Sequence, residues 1–598
     1  MSPAATRGGL PTFPDCFNLA RYLLDARVEE GLGDRPAVHV GERTWSYREV
    51  QRLADRTAAA LVDAGVRPEE RVLIALPDVI EFVASWFGIL KAGAVFAMAN
   101  TILPEDAYAY YLGYTRAPVA IVHEDLLPKF AAIAPRAPFL RKLLVVERER
   151  SMGDGPTGAP ARQRDVRKAG AREGRAEGAT TSALADGVAP GDRAKVGPTA
   201  GQPPFPEALR GRAAWFHETL AAMPDRFESF DSHRDDVAGW LFTSGSTGHP
   251  KAAVHSHEEF AFNIETYAKR VVGYRASELT VSVPKLFFGY ATGTNLMFPF
   301  AVGGATALFP GRSTPEKIFE MIERHRPTLL TSVPTMINAM LQLPGAAERD
   351  LSCLRVCLSA GEALPVELYH RWMETFGVEI LDGIGSAEMF HIYISNQPGE
   401  VVPGSLGRVV EGYEARIVGA DGADAAEGET GTLWICGGST ARGYWLDREK
   451  SRHTFRGDWC VTGDLFRRDG QGLFWYGGRA DDLLKVSGIF VTPLEIEDCL
   501  YGHAAVRDVC VVGAEDDQGL TRVRAYVTLK EGHAPGEALA LELKALAKAK
   551  LAPHKYPRWF SFVAELPRND RGKVQRKLIR EGCELTPLCE EIDVGSRS

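Results

Sequence analysis

Residues 71–100 read RVLIALPDVIEFVASWFGILKAGAVFAMAN. RVLIALP is a short apolar run with the look of a buried strand. DVIEFVASWFGILKAG places apolar residues at helical spacing, and AVFAMAN is a second short apolar run. Strand, helix and strand in immediate succession make a βαβ unit, which belongs in a parallel sheet covered by helices. The stretch from Val72 to Met98 is the most apolar in the chain. Asp78, Glu81 and Lys91 interrupt it, so it reads as buried core and not as a membrane span.

The same texture extends in both directions. Upstream, TWSYREVQRLADRTAAALVDAG opens with a turn and continues at helical spacing; downstream, APVAIVHE and KLLVVER are further strands, to about Val145. Composition then changes. From 149 to 212 the chain is rich in Gly, Ala, Pro and Arg and poor in large apolar residues, which predicts a disordered insertion without enough burial to offset its ordering entropy. The α/β pattern resumes at Trp215 and runs to about Pro403. Short strands with frequent Gly follow from Ser405 to Tyr476 (GRVVEGYEARIV, GTLWICG, GLFWYGG), predicting a small β unit. After Asp481, VRDVCVVGAED and TRVRAYVTLK read as strands and ALALELKALAKAKL as a helix, a compact α+β unit.

Composition narrows the function. The chain has 598 residues, 45% hydrophobic and 25% charged, which is ordinary globular material for several structural units. A net charge of -9 argues against nucleic-acid binding as the main activity. The nine cysteines include no CxxC pair and no cluster at metal spacing, so reduced thiols are expected. The start, MSPAATRGGLPTFPD, has no apolar signal core, and a cytoplasmic location is expected.

The chemistry concentrates in Leu241–His257, LFTSGSTGHPKAAVHSH. Hydroxyls and glycines alternate through Thr243, Ser244, Gly245, Ser246, Thr247 and Gly248, with Lys251 three residues on. Glycine allows close backbone approach, hydroxyls and amides donate to phosphate oxygens, and the lysine adds charge. The spacing is not that of a Walker A loop, and by itself the pattern fits an ordinary loop equally well. His255 and His257 have no third ligand nearby in sequence, which predicts a structural role. No GxSxG elbow supports a hydrolase.

Five more segments follow in order: SAGEALP (359–365), LDGIGSAEMFH (381–391), TGD (462–464), GRADDLLKVSG (478–488) and PRNDRGK (567–573). With TSGSTGHPK, this series resembles the adenylate-forming superfamily of acyl-CoA synthetases, peptide-synthetase adenylation domains and luciferases. The resemblance spans the chain apart from the insertion and the two tails. PKLFFGYATGTN (284–295), LDGIGSAEMFHIYISN (381–396), REKSRHTFRGDW (448–459) and LAPHKYPR (551–558) look most like benzoate-CoA ligases and related aryl-CoA ligases.

That resemblance implies an α/β fold. A large N-terminal domain, residues 1–480, would hold two α/β sheets and a small β-barrel, and a smaller mobile α+β domain would occupy 481–598. It implies ATP, Mg²⁺ and coenzyme A as reactants. Thr243 to Lys251 would wrap the phosphates, and Glu388 would hold Mg²⁺. Gly361, Glu362, Ala363, Asp382 and Gly383 would line the adenine site, with Asp464 and Arg479 on the ribose. Lys573 would reach the substrate carboxylate and α-phosphate, and Asp481 would be the hinge. Lys485, Ser487 and Gly488 would meet the incoming thiol. The aromatic acid would sit among Phe288, Gly289, Tyr290, Gly385, His391 and Ile392.

Gly289 stands where such ligases commonly carry Ala, leaving room for a ring substituent such as amino or hydroxyl. His391 has two open roles, touching the ligand or satisfying a core hydrogen bond. Departures from the pattern are Ala387 before Glu388, Ala252 after Lys251, and Asp570-Arg571 before the final Gly-Lys pair. The implied activity is ligation of benzoate or a substituted benzoate to coenzyme A, by a monomer or homodimer without nucleic-acid or membrane partners. Two alternatives stay open: an acyl carrier protein as acceptor, and a nucleotide-binding regulatory protein without catalysis. Retention of Glu388, Asp464, Arg479 and Lys573 speaks against the second.

Overall fold

The computed structural model describes residues 5–7, 9–148, 204–243, 249–486, 489–518, 520–552, 555–568 and 574–594. Its βαβ unit is the one expected: strand Arg71–Ala75, helix Ile80–Lys91 and strand Val95–Met98, with the two strands paired in parallel. The helix is buried on every face, which suits a core element. Its one lysine, Lys91, lies between Asp25 and Asp55, 2.6 Å from a carboxylate oxygen of each. A buried cation held by two carboxylates ties three segments of the N-terminal region together. The preceding helix, Tyr47–Asp63, starts at a capping box: Ser46 Oγ accepts the Glu49 N–H, and the Glu49 carboxylate accepts the Ser46 N–H.

Two large sheets follow. In the seven-stranded sheet the order is Lys251–Ser256, Val237–Thr243, Val95–Met98, Arg71–Ala75, Val119–His123, Lys142–Val146 and Ala213–Trp215. All its pairs are parallel except the first, Lys251–Ser256 against Val237–Thr243. The nine-stranded sheet has a parallel centre, from Ile380–Gly385 across to Pro36–Val40, with antiparallel strands at both edges.

Two expectations need correction. The predicted insertion ends earlier than 212: Leu209 is buried in a turn at Glu207–Leu209, and the Phe205 ring lies 4.6 Å from that of Trp215. These two apolar side chains anchor a segment whose composition hid them; residues 149–203 lie outside the described residues. The expected small barrel is an antiparallel sheet of Tyr413–Val418, Gly431–Gly437, Trp459–Arg468 and Phe455–Arg456, with Phe474–Arg479 also paired to Trp459–Arg468. The long strand Trp459–Arg468 shifts register against both Gly431–Gly437 and Phe474–Arg479. The sheet therefore bends, but no pairing among the described residues closes it.

The smaller C-terminal domain packs helices Pro493–Tyr501 and Glu537–Lys550 on a sheet of Val506–Glu515, Thr521–Leu529, Trp559–Phe562 and Ile592–Asp593. All nine cysteines are free thiols. Among the described residues no helix is long and apolar enough to cross a membrane.

Candidate active site

A cleft of about 1930 Å³ opens at the carboxyl ends of the parallel strands, the edge where open α/β sheets bind ligands. Residues just beyond those ends (Ile102, Lys285, Arg312, Thr335 and Glu362) form one wall; the bent sheet and the smaller domain supply the rest. Thr243, Lys251, Gly361, Glu362, Ala363, Asp382, Gly383, Glu388, Asp464, Arg479 and Asp481 all line it, and so do Phe288, Gly289, Tyr290, Gly385, His391 and Ile392. Lys485 does not; it is exposed on strand Leu484–Val486. Ser244, Gly245, Ser246, Thr247, Gly248, Ser487, Gly488 and Lys573 lie outside the described residues.

Thr243 and Lys251 are direct partners across an antiparallel pair, and both line the cleft. The Lys251 ammonium sits 5.6 Å from the centre of the Tyr444 ring. The Tyr444 hydroxyl donates to Glu388 Oε1 at 2.5 Å. Behind them, His255 Nε2 lies 2.7 Å from the Ala387 carbonyl oxygen and Nδ1 lies 2.9 Å from Glu259. His257 Nδ1 accepts the Leu19 N–H at 3.1 Å, and burial lowers its pKa to about 3. Both histidines are structural, as expected. Ala252 takes a packing role, its methyl buried with Val95 and Trp240.

Elsewhere in the cleft, Glu362 accepts both the amide N–H of Thr335, at 3.0 Å, and its hydroxyl, at 2.7 Å. Thr335 lies in the first turn of helix Pro334–Gln342, so this carboxylate fixes the loop to a helix N-terminus. Asp382 is buried, which raises its pKa to about 8, and its Oδ1 has no hydrogen-bond partner among the described residues. Asp464 and Arg479 are cross-strand partners joined by an ion pair of 3.2 Å.

The part of the cleft lined by Phe288, Gly289, Tyr290 and His391 is held by backbone as much as by side chains. Thr292 Oγ1 donates to the Leu286 carbonyl at 2.6 Å, pinning the turn that carries Phe288, Gly289 and Tyr290. His391 Nε2 lies 3.0 Å from the Tyr290 carbonyl oxygen. A carbonyl only accepts, so Nε2 carries the proton and Nδ1 is a bare acceptor. Burial lowers the His391 pKa to about 3, which keeps the ring neutral. Neither His391 Nδ1 nor the Tyr290 hydroxyl has a hydrogen-bond partner among the described residues, although both are buried.

Between Glu388 and His391 the chain reverses at Phe390, φ 64° and ψ -58°, with the His391 N–H bonded to the Met389 carbonyl at 2.8 Å. This is a γ-turn with a left-handed centre, a strained arrangement for a non-glycine residue.

Several residues here were not anticipated. Tyr444 stands in ARGYWLD, just before the quoted REKSRHTFRGDW, but no spacing rule links it to Glu388. Arg568 lies inside the quoted PRNDRGK; it pairs with Asp508 and reaches Thr335 Oγ1 at 3.4 Å. Asp78 accepts the Leu286 N–H at 2.9 Å, and burial raises its pKa to about 6. Their partners are distant in sequence, so only the fold reveals them.

Comparison with known proteins agrees with this geometry. Residues 24–445 match the model of the AMP-binding enzyme family, and 495–573 match the AMP-binding enzyme C-terminal domain. The chain is 37% identical to a benzoate–CoA ligase of Thauera aromatica, covering 95% of this chain and 96% of that one. It is 35% identical to a 4-hydroxybenzoate–CoA/benzoate–CoA ligase of Rhodopseudomonas palustris, over 94% of each. Among solved structures, an anthranilate CoA ligase in complex with anthranoyl-AMP superposes with a TM-score of 0.81 at 34% identity, covering 95% of this chain and 98% of that one.

Proposed function

The chain belongs to the AMP-binding enzyme family, and on that premise we propose that it ligates a benzoate bearing a small hydroxyl or amino substituent to coenzyme A. The reaction class is AMP-forming acid–thiol ligation. The carboxylate attacks the α-phosphate of ATP, giving an aroyl-adenylate and pyrophosphate. The coenzyme A thiol then displaces AMP, giving the thioester.

The observation that carries the ring assignment is that Tyr290 and His391 both line the cleft while the hydroxyl of one and Nδ1 of the other are buried without a hydrogen-bond partner among the described residues. The Tyr290 hydroxyl can donate and His391 Nδ1 can only accept, so a ring hydroxyl can satisfy either one and a ring amine can donate to His391 Nδ1. A buried polar group left unpaired costs about 1–3 kcal/mol, and a ligand that pairs it recovers that cost as selectivity.

Membership of the family supports the following roles for the other residues. Thr243 to Lys251 would hold the β- and γ-phosphates as pyrophosphate leaves, and Lys573 would neutralise charge on the carboxylate and α-phosphate. Asp464 and Arg479 would take the ribose hydroxyls; Gly361 to Ala363, Asp382 and Gly383 would flank the adenine. A magnesium ion suits the site. Mg²⁺ asks for only one or two carboxylates besides substrate phosphates, and Glu388 offers one with Oε1 already fixed by Tyr444. When bound, the ion would offset phosphate charge. We place the domain boundary between 480 and 481, after the last strand of the bent sheet, Phe474–Arg479, with Asp481 as hinge. Lys485, Ser487 and Gly488 would then serve the thiol once the smaller domain has turned.

The test is coenzyme A-dependent AMP release with benzoate, the three hydroxybenzoates, 2-aminobenzoate, cinnamate and medium-chain fatty acids. A hydroxy- or aminobenzoate should exceed benzoate in kcat/KM. Benzoate above every substituted ring would overturn the substituent. Acid-dependent pyrophosphate exchange without a coenzyme A thioester would shift the acceptor to a carrier protein.

A further inference from the structure

Tyr444 touches two groups assigned to the pyrophosphate end of the cleft, and the segment around it bonds the Glu388 backbone and the strand that Lys251 begins. Its hydroxyl donates to Glu388 Oε1 at 2.5 Å, and its ring lies under the Lys251 ammonium at 5.6 Å, within the range of a cation–π contact. The backbone contacts explain why this geometry is fixed. Ala441 N–H bonds the Glu388 carbonyl at 2.8 Å. Trp445 N–H bonds the Ala252 carbonyl and Val254 N–H bonds the Gly443 carbonyl, both at 3.0 Å. Tyr444 is thus bridged, strand-like, to Ala253 on the strand that Lys251 begins. Ser451 Oγ accepts the Tyr444 N–H at 2.9 Å and locks the far side. One short segment, 441–445, therefore sets the distance between the carboxylate and the lysine.

We propose that Tyr444 is a positioning residue that presets Glu388 and Lys251 for the magnesium–pyrophosphate end of ATP, its hydroxyl acting on the carboxylate and its ring on the lysine. The proposal rests on the reading of the site above. The two halves of the side chain are separable. Tyr444→Phe keeps the ring and removes the hydroxyl; Tyr444→Leu removes both.

The experiment measures the ATP dissociation constant of the full-length chain by titration calorimetry, once with Mg²⁺ and once with EDTA. Pyrophosphate exchange supplies the KM for the aromatic acid. Loss of a hydrogen bond to a charged group should weaken MgATP binding by Tyr444→Phe about tenfold while leaving ATP in EDTA nearly unchanged. Tyr444→Leu should weaken both, and the acid KM should hold in either variant. A purely structural tyrosine would not separate metal-bound from metal-free affinity in this way. If Tyr444→Leu does not fold, Tyr444→Phe alone decides. A Tyr444→Phe variant with wild-type affinity for MgATP overturns the proposal, and so does a wild type that binds ATP equally with and without Mg²⁺. Failure to turn over any aromatic acid would overturn only the function proposed above, because the calorimetric comparison needs no acid.

Discussion

Gly385 and Gly289 line the same pocket for opposite reasons. A Cβ on Gly385 would stand 2.5 Å from the His391 carbonyl oxygen and 2.6 Å from its carbon, both backbone atoms that cannot yield. A Cβ on Gly289 would meet only the Leu241 side chain, at 3.3 Å and 3.5 Å, with backbone no nearer than 3.8 Å. Gly385→Ala should therefore lower the melting temperature and the activity toward every acid, since overpacking of this kind costs about 1–3 kcal/mol. Gly289→Ala should fold normally and move kcat/KM toward benzoate over 2-aminobenzoate by about tenfold, the worth of one methyl in a tight pocket. An unchanged ratio would show that Gly289 does not set ring choice. Asp382 gives a prediction with a sign. Its folded pKa of about 8 lies above the ordinary carboxylate value, because burial disfavours the charge. The folded state binds that proton more tightly than the unfolded state, so stability falls as pH rises from about 4 through 8. Asp382→Asn should then gain clearly more melting temperature over wild type at pH 8.5 than at pH 5. A difference that does not vary with pH would contradict this. The first group's sequence signal was mixed: both glycines were read as pocket residues, and nothing local distinguishes a glycine required by a neighbouring backbone from one that is optional.

The turn at Phe390 belongs to the scale of elements. It joins the one-turn helix Ala387–Met389, which presents Glu388, to strand Ile392–Ser395 behind the proposed acyl pocket. The order of these pieces was legible in LDGIGSAEMFHIYISN; the left-handed φ of its phenylalanine was not. Local propensity disfavours that conformation, and distant packing imposes it: the Phe390 ring lies 4.7 Å from that of Phe260 and 6.4 Å from that of Phe298. The same contrast runs through the fold. Periodicity located the strands at Arg71–Ala75 and Val119–His123 and the helix at Ile80–Lys91, because each buries a regular apolar pattern. It missed the anchoring of Phe205 and Leu209, where two apolar side chains stand among polar and small neighbours. For Phe390 the competing terms are separable. Phe390→Ala loses the ring and keeps the strain, so it should cost about 3–5 kcal/mol. Phe390→Gly loses the same ring but relieves a strain of about 1–3 kcal/mol. The extra freedom of glycine in the unfolded chain offsets only about 0.4–1 kcal/mol of that. The glycine variant should melt above the alanine variant, the reverse of the usual order. Equal or lower melting for Phe390→Gly would mean the turn is not strained.

At the scale of the whole molecule, the site is shared between two domains, and Arg576 shows how the smaller one is anchored beside the proposed hinge. Its guanidinium reaches Glu497 Oε1 and Oε2 at 2.5 and 2.6 Å, Asp482 at 2.8 Å and the Val511 carbonyl at 3.1 Å. Asp482 directly follows Asp481, and Arg576 lies three residues after Lys573. One side chain thereby ties the segment after Lys573 to the segment after Arg479, within a partly buried network. The motif at 478–488 contains one end of this link and the motif at 567–573 stops three residues short of the other, and a contact between residues 482 and 576 has no sequence signature; it follows from packing the helix Arg576–Arg580 against strand Val506–Glu515. Removing the arginine leaves Glu497 buried with its main counter-charge gone, a loss of about 3–5 kcal/mol when a buried pair is broken. The cost should fall on the smaller domain. Arg576→Ala should make protease cleavage within 481–598 faster without changing cleavage of the larger domain. It should also reduce acid-dependent pyrophosphate exchange more than it reduces coenzyme A capture of a synthetic aroyl-adenylate, because only the first half-reaction is assigned to Lys573. Equal losses in both half-reactions would mean that Arg576 supports the domain as a whole and does not act through the lysine segment.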